Sequence, residues 1–399
     1  MLHELVSAGS NVQEAPGNPG IGFYLALFLV SLFLSLAGTP LARRLALRTG
    51  IVDAPSVRKV HLSPVPLLGG LAIYAAFMLG LLSLSYWFLP FYIPQLAAIL
   101  LGATVISFFG LWDDKWGLHP LFKLCAQMLV AMWLVVTGVQ VEFLHFLPFS
   151  NLLNVLATVL WVVTISNAIN FIDNMDGLSS GVSAIAAAFF FLAAYQSGQW
   201  LVALLSIGLA GAALGFVYHN FGFIKGRTQI FMGDSGSLFL GYLLAALGIK
   251  LRFPNTDFVT WMVPVLVLGL PLFDISLVVI SRTRRRIPVM RGGKDHTSHR
   301  LVALGLTKRE AVLVIYLICG MLGVAALVVT GASVADGYWV GGSLALAGLI
   351  ALYKLEQVPL INTNPKVEGY SKGLKPKRAS EAETEPEAGL ALSDRVKVE

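Results

Sequence analysis

Four polar clusters interrupt an otherwise apolar chain of 399 residues, and each contains residue types that could do chemistry. The first, "FGLWDDKWGLHPLFKLCAQ" (109–127), sets Asp113 beside Asp114 after an apolar run, with Pro120 suited to the first turn of the next helix and Lys123 in that turn. Free backbone N–H groups at a helix start favour an anion. Two carboxylates near a cation can hold Mg2+ beside phosphate, because magnesium takes oxygen ligands and keeps several waters. An ordinary ion pair in a solvated loop is the competing reading. In the second, "SNAINFIDNMDGLSSG" (166–181), Asn170, Asp173 and Asp176 step by three. If the preceding helix continues, they share one face, with Asn167 a turn further in and Asp176-Gly177 as the stop. Such groups at the mouth of an apolar span are costly unless they bind something.

The third cluster, "YHNFGFIKGRTQIFMGDSGSLF" (218–239), puts Asp234 in a glycine-bounded turn before a helix expected to start near Ser235. The helix start could face an anion while Asp234 faces a cation, or Asp234 could be only a capping residue. Phe231 is either core or a platform for a base. The fourth, "SRTRRRIPVMRGGKDHTSHRLVALGL" (281–306), carries His296 and His299. Their spacing suits a zinc pair, but no third ligand of the right type lies nearby. Phosphate or ribose contact, or acid-base work, fits better. Arg282 and Arg284 sit where membrane topology and anionic lipid alone would place basic residues. Two isolated candidates remain: His61, before the prolines of "RKVHLSPVPLLGG", and Asp274, an ionisable group inside an apolar run that could pair with Arg282 or Arg284.

The elements that must position these residues are membrane helices. Hydrophobic residues make up 56% of the chain and charged ones 13%. Apolar windows of bilayer length predict an all-α polytopic membrane protein with spans near 20–40, 68–88, 91–110, 121–138, 152–171, 180–196, 200–219, 236–250, 258–281, 310–330 and 338–353. That is eleven, with ten as the alternative count. Of 28 Lys and Arg, 26 fall in 41–65, 111–123, 219–235, 282–309 and the stretch after 353, so the positive-inside rule puts these loops in the cytoplasm and the N-terminus outside. Residues 1–19 are then an extracytoplasmic segment without signal-peptide character, 20–353 the membrane domain, and 354–399 a disordered cytoplasmic tail. The active-site loops would be 41–65, 111–120, 172–179, 220–235 and 282–309. The two cysteines, Cys125 and Cys319, lie in apolar runs and support neither a disulfide framework nor a thiolate metal site.

All four clusters fall on the side that Lys and Arg mark as cytoplasmic. About five carboxylates, several cations and two histidines above a membrane floor suit two anionic reactants joined with a divalent metal. Bringing two unit charges to 4 Å costs on the order of 4 kcal/mol at an effective dielectric of 20, so catalysis would consist mainly of positioning and charge stabilisation.

"FFGLWDDKWGLHPLFKLCAQ", "NAINFIDNMDGL", "IFMGDSGSLFLGY" and the histidine loop resemble, in order, spacing and sidedness, the polyprenyl-phosphate N-acetylhexosamine-1-phosphate transferases over roughly residues 40–310. The resemblance implies transfer of a sugar 1-phosphate from a UDP-N-acetylhexosamine to undecaprenyl phosphate in the bilayer, with release of UMP. It implies Mg2+, with Mn2+ as the alternative, and a multi-pass protein of the bacterial plasma membrane with a cytoplasmic site. A homodimer is a further expectation, and nucleic acid is not a partner. By position, Asp234 would ligate magnesium, with Asp114 and Asn170 beside it. Asp113 would orient or deprotonate the attacking phosphate, and Lys123 would hold the pyrophosphate. Asp173 would line the metal and phosphate region. Asn174, Asp176 and Phe231 would surround the uracil. His296, His299, Arg284, Arg285 and Arg286 would contact phosphate or the amino sugar, and His61 counts among the substrate-binding candidates. Two positions depart from the pattern: Ser298 stands where a further histidine is common, and Leu67 where arginine is common. The spaced histidines and eleven spans resemble the branch that starts teichoic acid, O-antigen or arabinogalactan carriers more than the peptidoglycan translocases. An intramembrane prenyltransferase would need two longer aspartate-rich segments. A transporter would carry its charges near mid-membrane.

Overall fold

A computed structural model of the protein describes residues 19–53, 64–84, 89–142, 147–222, 230–251, 257–290 and 292–360. Among them the chain is helical apart from one ribbon, in which β1 (Val52–Asp53) pairs antiparallel with β2 (Val65–Pro66). The helices are α1 (Ile21–Thr49), α2 (Gly69–Leu84), α3 (Leu89–Trp116), α4 (Pro120–Val136), α5 (Ser150–Phe171), α6 (Leu178–Gln196), α7 (Trp200–Asn220), α8 (Gly233–Lys250), α9 (Asp257–Val267), α10 (Gly269–Arg284), α11 (Thr297–Ala303), α12 (Lys308–Gly331) and α13 (Val334–Glu356). Seven described helices are long and apolar enough to cross a membrane, or eight if the bent pair α9 and α10 is one span. The protein is therefore an all-α polytopic membrane protein. α2 and α4, with 16 and 17 residues, rise only about 24–26 Å at 1.5 Å per residue, short of a bilayer core of ~30 Å.

Small residues sit where helices approach most closely, while large apolar side chains both fill the core and face outward. α1 buries Tyr24, Leu27, Ser31, Ser35, Thr39, Ala42 and Ala46 at helical spacing. Its outer face carries Leu25, Leu29 and Phe33, all exposed. Opposite that inner face, Gly211 and Gly215 of α7 leave no room for a Cβ against the α1 backbone. Lipid is as apolar as leucine, so close backbone approach rather than hydrophobic segregation drives such pairs. α8 is apolar all round and buried from Ser235 to Ile249, as a helix at the centre of a bundle must be. It packs against α2, α3, α5 and α6.

Three expected boundaries need correction. α3 runs on to Trp116, so Asp113 and Asp114 lie in its final turns rather than in a loop. α5 stops at Phe171, and Asp173 and Asp176 occupy turns before α6, which starts after Gly177 in the left-handed region at φ +77°. The expected span 258–281 is two helices bent by 71°. Pro271 has no N–H to bond the carbonyl four residues back, and Gly269 eases the turn, which together break the ladder near Leu268.

Candidate active site

The end of α3, the start of α4, the end of α5 and the head of α8 converge on one cluster of polar groups. Pro120 opens α4 as expected, and the ring of His119 accepts from the Leu121 N–H at 3.3 Å. That turn points Lys123 between two carboxylates: its Nζ lies 2.6 Å from Asp113 and also pairs with Asp234. The other oxygen of Asp113 accepts the Leu118 N–H at 2.5 Å, which ties the loop between α3 and α4. Asn170, from the last turn of α5, donates to Asp234 at 2.9 Å and to Ser237 at 2.8 Å. One turn deeper, Asn167 and Gln127 form a reciprocal amide pair at 2.6 and 3.4 Å, linking α5 to α4.

Asp114 does something different from its neighbour. Its two oxygens accept the backbone N–H groups of Asp234 at 2.7 Å and Ser235 at 3.1 Å, so α3 caps α8 from outside and satisfies donors that a helix start leaves open. The helix begins at Gly233, not near Ser235, and Asp234 is in its first turn rather than at the cap, which is Met232. Gly233 has φ +76°, and a Cβ there would fall 2.5 Å from the Asp114 carboxylate. A Cβ on Gly110 would likewise lie 2.5 Å from the Asp234 carbonyl and the Ser235 backbone. The segment before α2 completes the frame: Phe231 N–H donates to Pro66 O at 2.8 Å, and Gly69 and Gly70 donate to Phe231 O and Met232 O at 3.0 and 2.7 Å. Phe231 is thus fixed by its backbone, with a half-buried ring.

Charge in this cluster is one-sided. Burial, then the negative charges of Asp234, Asp114 and Asp176, raises Asp173 well above the ordinary carboxylate range. Burial also raises Asp176, against the opposing pull of Lys308. Four carboxylates, Asp113, Asp114, Asp173 and Asp234, face one ammonium, Lys123, an excess of three negatives when all are ionised. Among the described residues, no three His, Cys, Asp or Glu side chains form a ready metal cage. The available donors are nonetheless all oxygen, and a hard divalent cation held by one or two carboxylates plus phosphate and water suits that set.

The histidines lie in a second cluster on the far side of the 171–176 turn. Phe171 meets the His296 ring edge-on at 6.1 Å and lies under the Arg282 guanidinium at 5.8 Å, while Ser298 donates to Asn174 Oδ1 at 2.6 Å. Ser298 thus ties the loop to the turn that carries Asp173. His296 Nδ1 is 2.8 Å from Asp274 Oδ2, so Asp274 pairs with neither Arg282 nor Arg284. Arg282 instead grips Asp295 through two nitrogens at 2.7 and 2.9 Å, and Arg285 joins at 2.7 Å. Burial works against ionisation of Asp295, but the hydrogen bonds and charge of Arg282 outweigh it and hold the carboxyl at about 2. Burial, with His296 and Lys294 nearby, pushes His299 down to about 4, so it is neutral at pH 7. Arg282 and Arg285 are thus paired with Asp295. Arg284 stays exposed, 3.8 Å from Glu356, and Arg286 is exposed at φ +55°. His61 lies outside the described residues.

Sequence reasoning missed Asp295, Arg300 and Glu356. Arg300 is 1% exposed and donates to Ser281 Oγ and Glu356 at 2.8 Å and to the Leu355 carbonyl at 2.5 Å. Only the adjacency of Asp295 to His296 could have drawn attention to it. Most partners of Arg300, Ser281, Leu355 and Glu356, are remote in the chain.

Residues 96–252 match the glycosyl transferase family 4 profile. A probable undecaprenyl-phosphate N-acetylglucosaminyl 1-phosphate transferase of Bacillus subtilis (strain 168) is 38% identical over 312 residues, covering 77% of this chain and 85% of the relative. A decaprenyl-phosphate N-acetylglucosaminephosphotransferase of Mycobacterium tuberculosis (strain CDC 1551 / Oshkosh) is 33% identical over 326 residues, 74% of this chain and 79% of its own. An undecaprenyl-phosphate alpha-N-acetylglucosaminyl 1-phosphate transferase of Salmonella typhi is 28% identical over 307 residues, 74% and 81%. With two of these relatives above 30% identity across most of both chains, and the aspartate cluster built on the matched segment, the protein belongs to glycosyl transferase family 4.

Proposed function

We propose that the protein transfers N-acetylglucosamine 1-phosphate from UDP-N-acetylglucosamine to undecaprenyl phosphate in the bacterial plasma membrane, giving the lipid diphosphate sugar and UMP. An oxygen of the lipid phosphate attacks the sugar-bearing phosphorus of the donor, and the bond from that phosphorus to the bridging oxygen breaks, so UMP leaves. The observation that carries the reading is the meeting of Asp113, Lys123, Asn170 and Asp234 at the ends of apolar helices. Such a site lets one reactant stay in lipid while the other arrives from water. The concentration of Lys and Arg in the loops on this side would, by the positive-inside rule, put this face in the cytoplasm, where UDP-sugars are made.

Asp234 and Asp113, with Asp173 and Asn170, are the oxygen donors we assign to Mg2+, which when bound offsets the charge of the diphosphate and the attacking phosphate. Asp114 holds the head of α8 in register. Lys123, which sits between carboxylates, reaches the donor pyrophosphate, and Asp113 orients the lipid phosphate. Asn174, Asp176 and Phe231 form the nucleobase side. His296, His299, Arg284, Arg285 and Arg286 meet phosphate or the amino sugar. Purified protein given UDP-N-acetylglucosamine, undecaprenyl phosphate and Mg2+ is expected to release UMP, and EDTA to stop it. A panel of UDP-sugars that yields no UMP would sink the reading, whereas turnover only with UDP-N-acetylmuramoyl-pentapeptide would move the chain to the translocase branch.

A further inference from the structure

Asp274 is the sixth residue of α10, is 2% exposed, and projects from an apolar helix onto the loop that carries the histidines. Both of its oxygens are used. Oδ2 lies 2.8 Å from His296 Nδ1, and Oδ1 accepts the Thr297 N–H at 2.6 Å. The second bond caps α11, whose cap residue, His296, has an extended backbone and makes no side-chain bond to its own helix. The first has a chemical consequence. An ionised carboxylate can only accept, so the proton of the imidazole must sit on Nδ1, and Nε2 becomes the nitrogen left for a ligand. The ring is held from its sides as well, by the edge of Phe171 at 6.1 Å and by His299 at 6.2 Å.

We infer that Asp274 is a positioning residue that fixes the tautomer and the ring orientation of His296, so that Nε2 is the atom presented to substrate. The same carboxylate balances the imidazolium charge whenever Nε2 carries a proton toward a phosphate oxygen. This rests on the transferase reading given above. A purely structural carboxylate would need only the bond to Thr297. The bond to His296, a histidine beside the turn that carries Asp173, is what a cap alone leaves unexplained.

The test is a double-mutant cycle in the full-length protein, with UMP release as the readout. In Asp274→Asn the carboxamide oxygen can still accept from Thr297, while its NH2 turns to His296 and donates. Both contacts survive, but the proton is driven to Nε2. We expect kcat to fall on the order of 10²-fold or more, KM for UDP-N-acetylglucosamine to change less than about threefold, and thermal stability to hold. The double variant Asp274→Asn with His296→Gln should be no slower than His296→Gln alone, since residues acting as a unit are not additive. Near-wild-type turnover in Asp274→Asn, or losses that multiply in the double variant, would overturn the inference. Nitrogen NMR of the wild type with labelled histidine, assigned by the signal missing from His296→Gln, needs no folded Asp274 variant. Protonated Nδ1 in neutral His296 is the expected result, and the opposite tautomer defeats the proposal. Wild-type protein that releases no UMP would sink the transferase reading itself and leave the tautomer to be decided by the spectrum.

Discussion

Asp113 and Asp114 are adjacent in sequence and differ in what they hold. Successive helical residues point about 100° apart, so one faces Lys123 and the other faces the head of α8. Asp114→Asn should therefore lower stability and activity together, because a carboxamide offers one acceptor where two backbone donors wait. Asp234→Asn removes no cap. It should leave the thermal transition near that of the wild type while UMP release falls on the order of 10²- to 10³-fold, and retained turnover with unchanged Mg2+ dependence would refute the metal assignment. Sequence disclosed these residue types and the expectation that they gather at one site, but not their partners. Asp114 reaches donors 120 residues away. Asp274 and Arg282 are eight residues apart on one helix, about 12 Å along its axis, so the loop that returns with His296 and Asp295 supplies the partners instead.

Apolar windows located the helices well because they measure preference for leaving water, which serves a helix in lipid and a helix inside the bundle alike. They set the ends of α1, α3 and α10 too early, because backbone hydrogen bonding outlasts the apolar run, as at Trp112 to Trp116, and they missed the bend near Leu268. Close packing between elements was also hidden. Gly110→Ala would drive a Cβ into the head of α8 and should cost about 1–3 kcal/mol in stability, with activity lost alongside, as thermal melts and turnover would show. Asp295, in the loop before α11, and His299, inside α11, should make this segment acid-sensitive. His299 titrates at about 4 when folded, below its ordinary value of about 6.5, so the unfolded chain takes up the proton first and stability falls as pH drops through that window. Asp295, held at about 2, adds a contribution on the order of 2 kcal/mol that is present above pH ~4 and lost as pH falls toward 2. Asp173 acts in the opposite sense, losing stability as pH rises, so the informative quantity is a difference. The gap in melting temperature between wild type and His299→Gln should change between pH 6.5 and 4, and a constant gap would count against a depressed His299.

At the scale of the whole molecule, the functional face is closed by the last helix described. α13 buries one residue, Gly337, along its length, yet its final residues, Leu355 and Glu356, hold Arg300. Removal of residues 361–399 should leave UMP release near wild type, whereas ending the chain after residue 353 should take the Glu356 carboxylate and the Leu355 carbonyl from a buried guanidinium and cost about 3–5 kcal/mol. Equal activity of the two truncations would show that the clamp is dispensable. The same clamp has a consequence for biosynthesis. The histidine loop is synthesised, and its helices inserted, before the residues that neutralise Arg300 have left the ribosome. A nascent or prematurely ended chain therefore lacks the carboxylate that pairs with Arg300, which is left with Ser281 and the Asp295 carbonyl. Until Glu356 arrives, the loop rests on what Asp274, Arg282 and Arg285 supply, so the last turn of α13 is the closing step in assembling this face.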